Sequence, residues 1–132
     1  MADKYLVTGG AGFIGSHLCA LLLERGHTVT VIDDLSTGQA ENIAALRAHP
    51  RFQFVRESIT NLQVLDRLTS QVDAVIHLAA AVGVKLIVEN PVHTIRTNIM
   101  GSEAVLTTAN RYGCKVLITS TSEVYGKGVS VP

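Results

Sequence analysis

Tryptophan is absent from the 132 residues, and aromatic side chains make up only 5% of them. A core must therefore be built from Val, Ile, Leu and Ala, a palette suited to buried parallel strands with helices packed on them. An excess of charge of either sign is also lacking, since 11 Lys and Arg balance 11 Asp and Glu. That balance excludes the basic footprint of a nucleic-acid binder, and no Lys/Arg run marks a membrane-binding surface. No apolar stretch approaches the roughly 20 residues that span a bilayer, and Met1-Ala2-Asp3-Lys4 lacks the layout of a secretory signal. The two cysteines, Cys19 and Cys114, form no C-x-x-C pair; reduced, buried thiols in a cytoplasmic protein are expected. His17, His27, His49, His77 and His93 show no metal-ligand spacing with Cys or carboxylates, so no metal is expected.

What is present is 47% apolar residues in a regular alternation of short runs and helical stretches. Tyr5–Val7, Val29–Ile32, Phe52–Val55, Ala74–Leu78 and Lys115–Thr119 read as strands. Between them, a helix from Gly12 carries Ile14, Leu18, Leu21 and Leu22 on one face and ends at Gly26. A short helix through Ile43, Leu46 and Arg47 is stopped by His49-Pro50, and another covers Leu62–Leu68. Asn90-Pro91 opens a long helix, with Pro where a missing N–H costs nothing; it runs to Tyr112 and is capped by Gly113. Strands separated by helices imply parallel pairing through right-handed crossovers. The fold class is α/β, a doubly wound parallel sheet (Rossmann fold), here an N-terminal portion with about five strands in one domain.

Thr8-Gly9-Gly10-Ala11-Gly12-Phe13-Ile14-Gly15 follows the first strand and opens the first helix. It fits both G-x-G-x-x-G and G-x-x-G-x-x-G. One glycine makes the tight turn, Gly12 lets backbone N–H groups approach a pyrophosphate, and Gly15 lets the helix lie close on the sheet. The helix N-terminus adds a positive dipole end for the phosphates. A bare glycine turn without ligand is the alternative, weakened by the strand, the helix and the acid that follow in order. That acid, Asp33, lies 24 residues after Gly9 at the end of the second strand. A carboxylate there accepts from both adenosine ribose hydroxyls and repels a 2′-phosphate, which favours NAD over NADP. Its alternative is a turn acid, a role Asp34 could fill instead.

At this point the chain resembles the extended short-chain dehydrogenase/reductases, NAD-dependent nucleotide-sugar epimerases and dehydratases. The resemblance rests on Thr8-Gly9-x-x-Gly12-x-x-Gly15, Asp33-Asp34-Leu35, His77-Leu78-Ala79-Ala80, Asn98 with Gly101, and Ser120-Thr121-Ser122-Glu123-Val124-Tyr125-Gly126. It implies that Phe13 and Ile14 supply backbone contacts to the pyrophosphate and that Asp33, Asp34, Leu35, Ser36, Thr37 and Gly38 wrap the adenosine ribose. Ser58 and Ile59 would flank the adenine, with Ser58 standing where the family usually has Asp, so without charge assistance. Leu78, Ala79 and Ala80 would line the nicotinamide side, Thr97 would touch the cofactor, and Asn98 would tie the long helix to neighbouring strands. Thr121 would hold the sugar oxygen being oxidised, with Glu123 as the second catalytic residue. The string Thr-Ser-Glu-Val-Tyr-Gly is most similar to UDP-glucuronate decarboxylases.

The family's base is a Tyr in a Tyr-x-x-x-Lys pair, and no Tyr of this sequence has Lys four residues on. Tyr125 would need it at position 129, which is Val129, so it resembles the family's structural Tyr. The expectation is that residues 1–132 are an NAD-binding domain that stops before the Tyr-x-x-x-Lys helix and the sugar-binding part. Such a chain should bind cofactor but not turn over a nucleotide sugar. A homodimer through the 90–112 helix, with Ile95, Ile99, Val105 and Leu106 serving sheet and partner, is expected from the same resemblance. A non-catalytic, redox-sensing dinucleotide module is the competing reading; Thr121 and Glu123 favour the enzyme.

Overall fold

The apolar runs settle into strands, and burial is concentrated in the three central ones. The computed structural model of the chain describes residues 2–81, 88–121, 124 and 126. In chain order they form β1 (Lys4–Thr8), α1 (Phe13–Glu24), β2 (Thr28–Asp33), a 3₁₀ helix (Ala40–Leu46), β3 (Phe52–Arg56), α2 (Leu62–Thr69), β4 (Ala74–His77), α3 (Pro91–Tyr112) and β5 (Lys115–Ile118). All five strands are parallel, in the order β3-β2-β1-β4-β5. The chain thus winds outward from β1 in one direction, then returns past it to build the other half. Thr8 is in register with both Ile32 and His77, and His77 with Ile118. The carboxyl ends of β1, β2, β4 and β5 therefore finish side by side, at the place where strand order reverses and where ligands of such sheets bind.

The strands carry alternating side chains to opposite faces. Leu6, Ile32 and Val75 join Leu65 and Leu68 of α2 and Ala104, Val105 and Ala109 of α3 on one side. Val7, Val29 and Val31 meet Cys19, Leu22 and Leu23 of α1 on the other. Burial pushes the Cys19 thiol up to about 12 and raises Cys114 as well, so both free thiols are held protonated. Among the described residues, no helix is long and apolar enough to cross a membrane.

Two expectations need correction. The buried face of α1 is Gly15, Ser16, Cys19, Leu22 and Leu23, while Ile14 and Leu21 are exposed. The apolar spacing is retained but displaced by one residue, because Gly15, not Ile14, is what the turn presses onto the sheet. The segment through Ile43 and Leu46 is a 3₁₀ helix and not an α-helix. Only Ile43 of it is buried, and Ala11 O fixes its start by accepting from Gln39 N (3.1 Å) and Asn42 Nδ2 (2.8 Å). On α3, Val105 reaches the core, while Ile95, Ile99 and Leu106 are exposed, a division that the expectation of a surface shared by sheet and partner left open and does not contradict. The helix itself runs as expected, with Pro91 in its first turn and Gly113 left-handed (φ 67°) at its end.

Gly9 and Gly15 are where the close approach is unavoidable. Gly9 is left-handed (φ 71°), and a Cβ there would lie 2.8 Å from Ala79 N. A Cβ on Gly15 would overlap Gly9 O and stand 2.7 Å from Gly10 Cα, all of it backbone that cannot swing away. Gly12 is different: its φ is −76° and a Cβ would meet only Gly9 O, at 3.3 Å. Gly15→Ala should therefore lower stability by about 1–3 kcal/mol, read as a reduced urea midpoint with an unchanged slope. Gly12→Ala, which loses only a favourable helix cap, should cost less than about 1 kcal/mol. Equal losses in the two variants would contradict this division of roles.

Candidate functional site

The first turn of α1 has backbone donors and nothing to spend them on. A helix leaves its first N–H groups without intrahelical partners. Here the N-cap is Gly12, whose residue type offers no side chain and which makes no side-chain cap bond. Gly12 N donates to Gly9 O at 3.2 Å, closing the turn beneath the helix. Phe13 and Ile14 stand out into solvent, 79% and 67% exposed, so the amides beside them are reachable. Aligned donors at a helix N-terminus with an uncrowded glycine form a cradle for an anion.

Asp33 closes the second side. Its carboxylate is buried, and it accepts from Ala11 N through Oδ2 and from Leu35 N through Oδ1, both at 2.9 Å. Asp33 thus locks the glycine turn to the end of β2 and shapes the loop beyond it, where Leu35 is left-handed (φ 61°). Gly38 lies against both: a Cβ on it would come within 3.1 Å of Asp33 Oδ2 and of Ala11 C. Asp34 is exposed and accepts from Ser36 N at 2.9 Å, a turn acid. The turn role weighed for Asp33 or Asp34 is filled by both.

The end of β4 supplies the third side. Thr8 Oγ1 accepts from Leu78 N (3.2 Å) and Ala79 N (3.1 Å), which draws these residues onto Gly9. The same oxygen lies 2.7 Å from His77 Nδ1, and His77 Nε2 lies 3.1 Å from Ser102 Oγ on α3. Burial holds the His77 imidazole below its ordinary value near 6.5. Four residues along, Asn98 accepts from Ala81 N (2.7 Å) and donates to Ala81 O (3.2 Å), the helix-to-strand tie expected of it.

Of the remaining expected residues, Leu78 and Ala79 are half-buried, Ala80 is exposed, and Thr97 is half-buried on α3 two turns after Pro91. Ser36 and Thr37 are exposed in the loop after β2. The Ser58 hydroxyl is engaged with Thr60, accepting from its N–H at 3.2 Å and sharing a 2.8 Å contact with its hydroxyl. The Ile59 side chain is in the core with Ala104 and Val105, against Gly101, which leaves its backbone to flank a ligand. Thr121 is exposed just beyond β5, at the carboxyl edge of the sheet. Glu123 lies outside the described residues.

Sequence reasoning passed over Ser102 and gave Thr8 no role beyond its place in the turn. Ser102 lies 25 residues from His77 and carries no motif signal. Only its position one turn beyond Asn98, on the face of α3 turned to the sheet, could have marked it. A separate groove of about 530 Å³ runs between α2 and α3, lined by Leu62, Asp66, Met100, Glu103 and Arg111 among others. It includes none of the strand-end residues and is mostly apolar, and the Asp66–Arg111 ion pair crosses between its helices. The convergent donors and acceptors are at the sheet edge.

Comparison with known proteins agrees with this arrangement. A family model described as GDP-mannose 4,6 dehydratase matches residues 6–132. UDP-glucuronic acid decarboxylase 1 of Arabidopsis thaliana is 43% identical over 129 residues, which is 98% of this chain and 28% of the plant protein. UDP-N-acetyl-alpha-D-glucosaminuronate decarboxylase of Bacillus cytotoxicus is 41% identical over 97% of this chain and 39% of its own. Among solved structures, a dTDP-glucose 4,6-dehydratase from Streptomyces venezuelae with NAD bound superposes with a TM-score of 0.90 at 37% identity, over 97% of this chain and 42% of that one. The UDP-glucose 4-epimerase of Thermotoga maritima superposes at 0.85 with 39% identity, covering 97% and 41%. The chain spans between 28% and 39% of the length of these curated relatives. With glycine turn, buried Asp33, Thr8–Ala79 clamp and strand order all in place, the chain belongs to the GDP-mannose 4,6 dehydratase family of NAD-dependent nucleotide-sugar epimerases, dehydratases and decarboxylases.

Proposed function

We propose that the chain binds NAD across the carboxyl edge of its sheet and forms the cofactor-binding portion of an enzyme that oxidises a UDP- or dTDP-sugar at C4. The observation that carries this reading is the uncapped α1 N-terminus locked to the Asp33 carboxylate through Ala11. The residues fit the group chemically. Orphan amides at Phe13 and Ile14 suit a pyrophosphate. A carboxylate has about four lone-pair sites, so Asp33 keeps acceptor capacity for ribose hydroxyls after taking two backbone N–H groups. The half-buried Leu78–Ala79 segment offers an apolar wall for the nicotinamide side. NAD, when bound, supplies the hydride acceptor. The chain's own part is to hold it: Phe13 and Ile14 at the phosphates, Asp33 to Gly38 around the ribose, Ser58 and the Ile59 backbone at the adenine, and Thr97 from α3. Thr121 would position the sugar hydroxyl, with Glu123 as the second catalytic residue. Similarity to the UDP-glucuronate decarboxylases favours a UDP-sugar acid as substrate of the whole enzyme. Two free thiols support a reducing, cytoplasmic setting. The exposed Ile95, Ile99 and Leu106 support a homodimer through α3.

Calorimetric titration should show NAD binding more tightly than NADP, because a 2′-phosphate would face a buried carboxylate. Equal affinities would sink this reading. Removing Asp33 is a poor test alone, since it also frees the Ala11 and Leu35 amides; Gly12→Ala, which leaves the fold nearly intact, should weaken NAD markedly.

Turnover is a separate matter. These residues contain no Tyr-x-x-x-Lys pair, and a positioned base is worth about 10² to 10⁴ in rate. The chain incubated with NAD and UDP-glucuronate, UDP-glucose or dTDP-glucose should give no altered sugar by mass spectrometry. Steady turnover by pure material would show that the base lies among these residues.

Light scattering should give a dimer mass at high concentration, reduced to a monomer by Ile99→Glu. A monomer at every concentration would refute the interface.

A further inference from the structure

The hydroxyl of Thr8 has one proton to donate and two lone pairs to accept with. Amides approach both: Ala79 N donates to Oγ1 at 3.1 Å, and Leu78 N is shared between Oγ1 (3.2 Å) and the Thr8 carbonyl (3.1 Å). The 2.7 Å contact with His77 Nδ1 must therefore be Thr8 O–H donating, with Nδ1 as the acceptor. That fixes the ring as the neutral Nε2–H tautomer, whose remaining proton is donated to Ser102 Oγ at 3.1 Å. The chain of bonds runs one way, from the β4 amides through Thr8 and the ring to α3.

A proton added at Nδ1 cannot be accommodated without a loss. Nδ1 would become a donor competing with the amides for Thr8 Oγ1, and the Thr8 proton would lose its acceptor. Leu78 N can fall back on the Thr8 carbonyl, so the loss falls on the ring contact or on the Ala79 amide. Ala79 lies directly on Gly9, where a Cβ would come within 2.8 Å of its N. Resting on the reading that NAD binds at this edge, we propose that His77 is a positioning residue for the cofactor. Its neutral ring, acting through Thr8, fixes Ala79 against the glycine turn, and its protonation loosens that wall and weakens NAD binding.

The surroundings give the proton no competing explanation. Among the described residues, the ring is hydrogen-bonded to Thr8 on β1 and Ser102 on α3, and Ile118 is the register partner of His77 on β5, none of them charged. Lys4 and Tyr5 on β1 and Lys115 on β5 sit at the opposite ends of their strands, paired near Ala74. His93, Arg96, Glu103 and Arg111 on α3 are exposed. Burial alone lowers the ring's affinity for a proton. The sign follows: the bound form keeps His77 neutral, so below the free form's pKa a proton must be expelled on binding, and the dissociation constant rises as pH falls.

The test uses the chain itself. Calorimetry with NAD at about pH 7.5, 6.5 and 5.5 should show the dissociation constant rising by about threefold or more, and by no more than about tenfold per pH unit, the limit for one proton. Near-ultraviolet circular dichroism confirms the fold at each pH. His77→Asn places an amide oxygen where Nδ1 accepts but does not titrate, so the ratio between the extreme pH values should fall to about one. In the ligand-free chain, the Ala79 amide resonance should titrate together with the His77 ring, a readout needing neither NAD nor a variant. Persistence of the acid weakening in His77→Asn, or an Ala79 amide that does not follow the ring, overturns the proposal even if NAD binds. Failure of NAD to bind at about pH 7.5 overturns the cofactor reading, and with it the effect on affinity.

Discussion

The structure depends on the approach of three backbone segments at Gly9. The residue is left-handed, donates its amide to Ile32 O, carries Gly15 of α1 on its carbonyl and has Ala79 against its Cα. No side chain fits there, and the lack of one lets β1, β2, β4 and α1 meet at one point. Everything placed at the carboxyl edge is placed relative to that point. Protein interiors are close-packed, so an atom inserted here is not absorbed locally.

From this constraint the polar bonds acquire their meaning. Asp33 takes up the amides of Ala11 and Leu35, which the turn would otherwise leave bare, and so binds the second strand to the first helix. Thr8 does the same for Leu78 and Ala79 on the other flank. His77 and Ser102 extend that bond to α3, and Asn98 adds a second tie through Ala81. The two sides of the cleft are thus held by side chains whose hydrogen-bonding capacity is already partly committed to the scaffold. Substitution at Asp33 or Thr8 moves the walls as well as removing a contact. Gly12 is less tightly enclosed than Gly9 and Gly15: a Cβ on it would meet only Gly9 O, at 3.3 Å.

Much of this was legible in the sequence. Five apolar runs, the Pro91 start and the Gly113 stop of the long helix announce themselves through period and punctuation, and each was found within a residue or two. The glycine turn with Asp33 after the second strand gave the site, because its spacing is dictated by backbone geometry. What could not be read was the choice among near-equivalent faces. On α1, the displaced sets beginning at Ile14 and Gly15 have the same spacing, and only contact with the turn decides for Gly15. Ile59 looked like a ligand neighbour by position, yet packing against α3 claimed its side chain. The Thr8–His77–Ser102 chain joins residues up to 69 apart in sequence, and no local pattern encodes it. The exposed apolar residues of α3 were predicted as a shared surface, but periodicity alone could not divide them between sheet and solvent.

The central claim is that the cofactor lies across the point where strand order reverses, on walls set by Gly9, Asp33 and Thr8. Amide chemical-shift mapping during an NAD titration tests it most directly. The account predicts shifts concentrated at Gly9–Gly15, Asp33–Gly38 and Leu78–Ala80, with Thr97 on α3 and little change along Leu62–Thr69. Shifts gathered instead around Asp66, Met100 and Arg111, in the groove between α2 and α3, would contradict it.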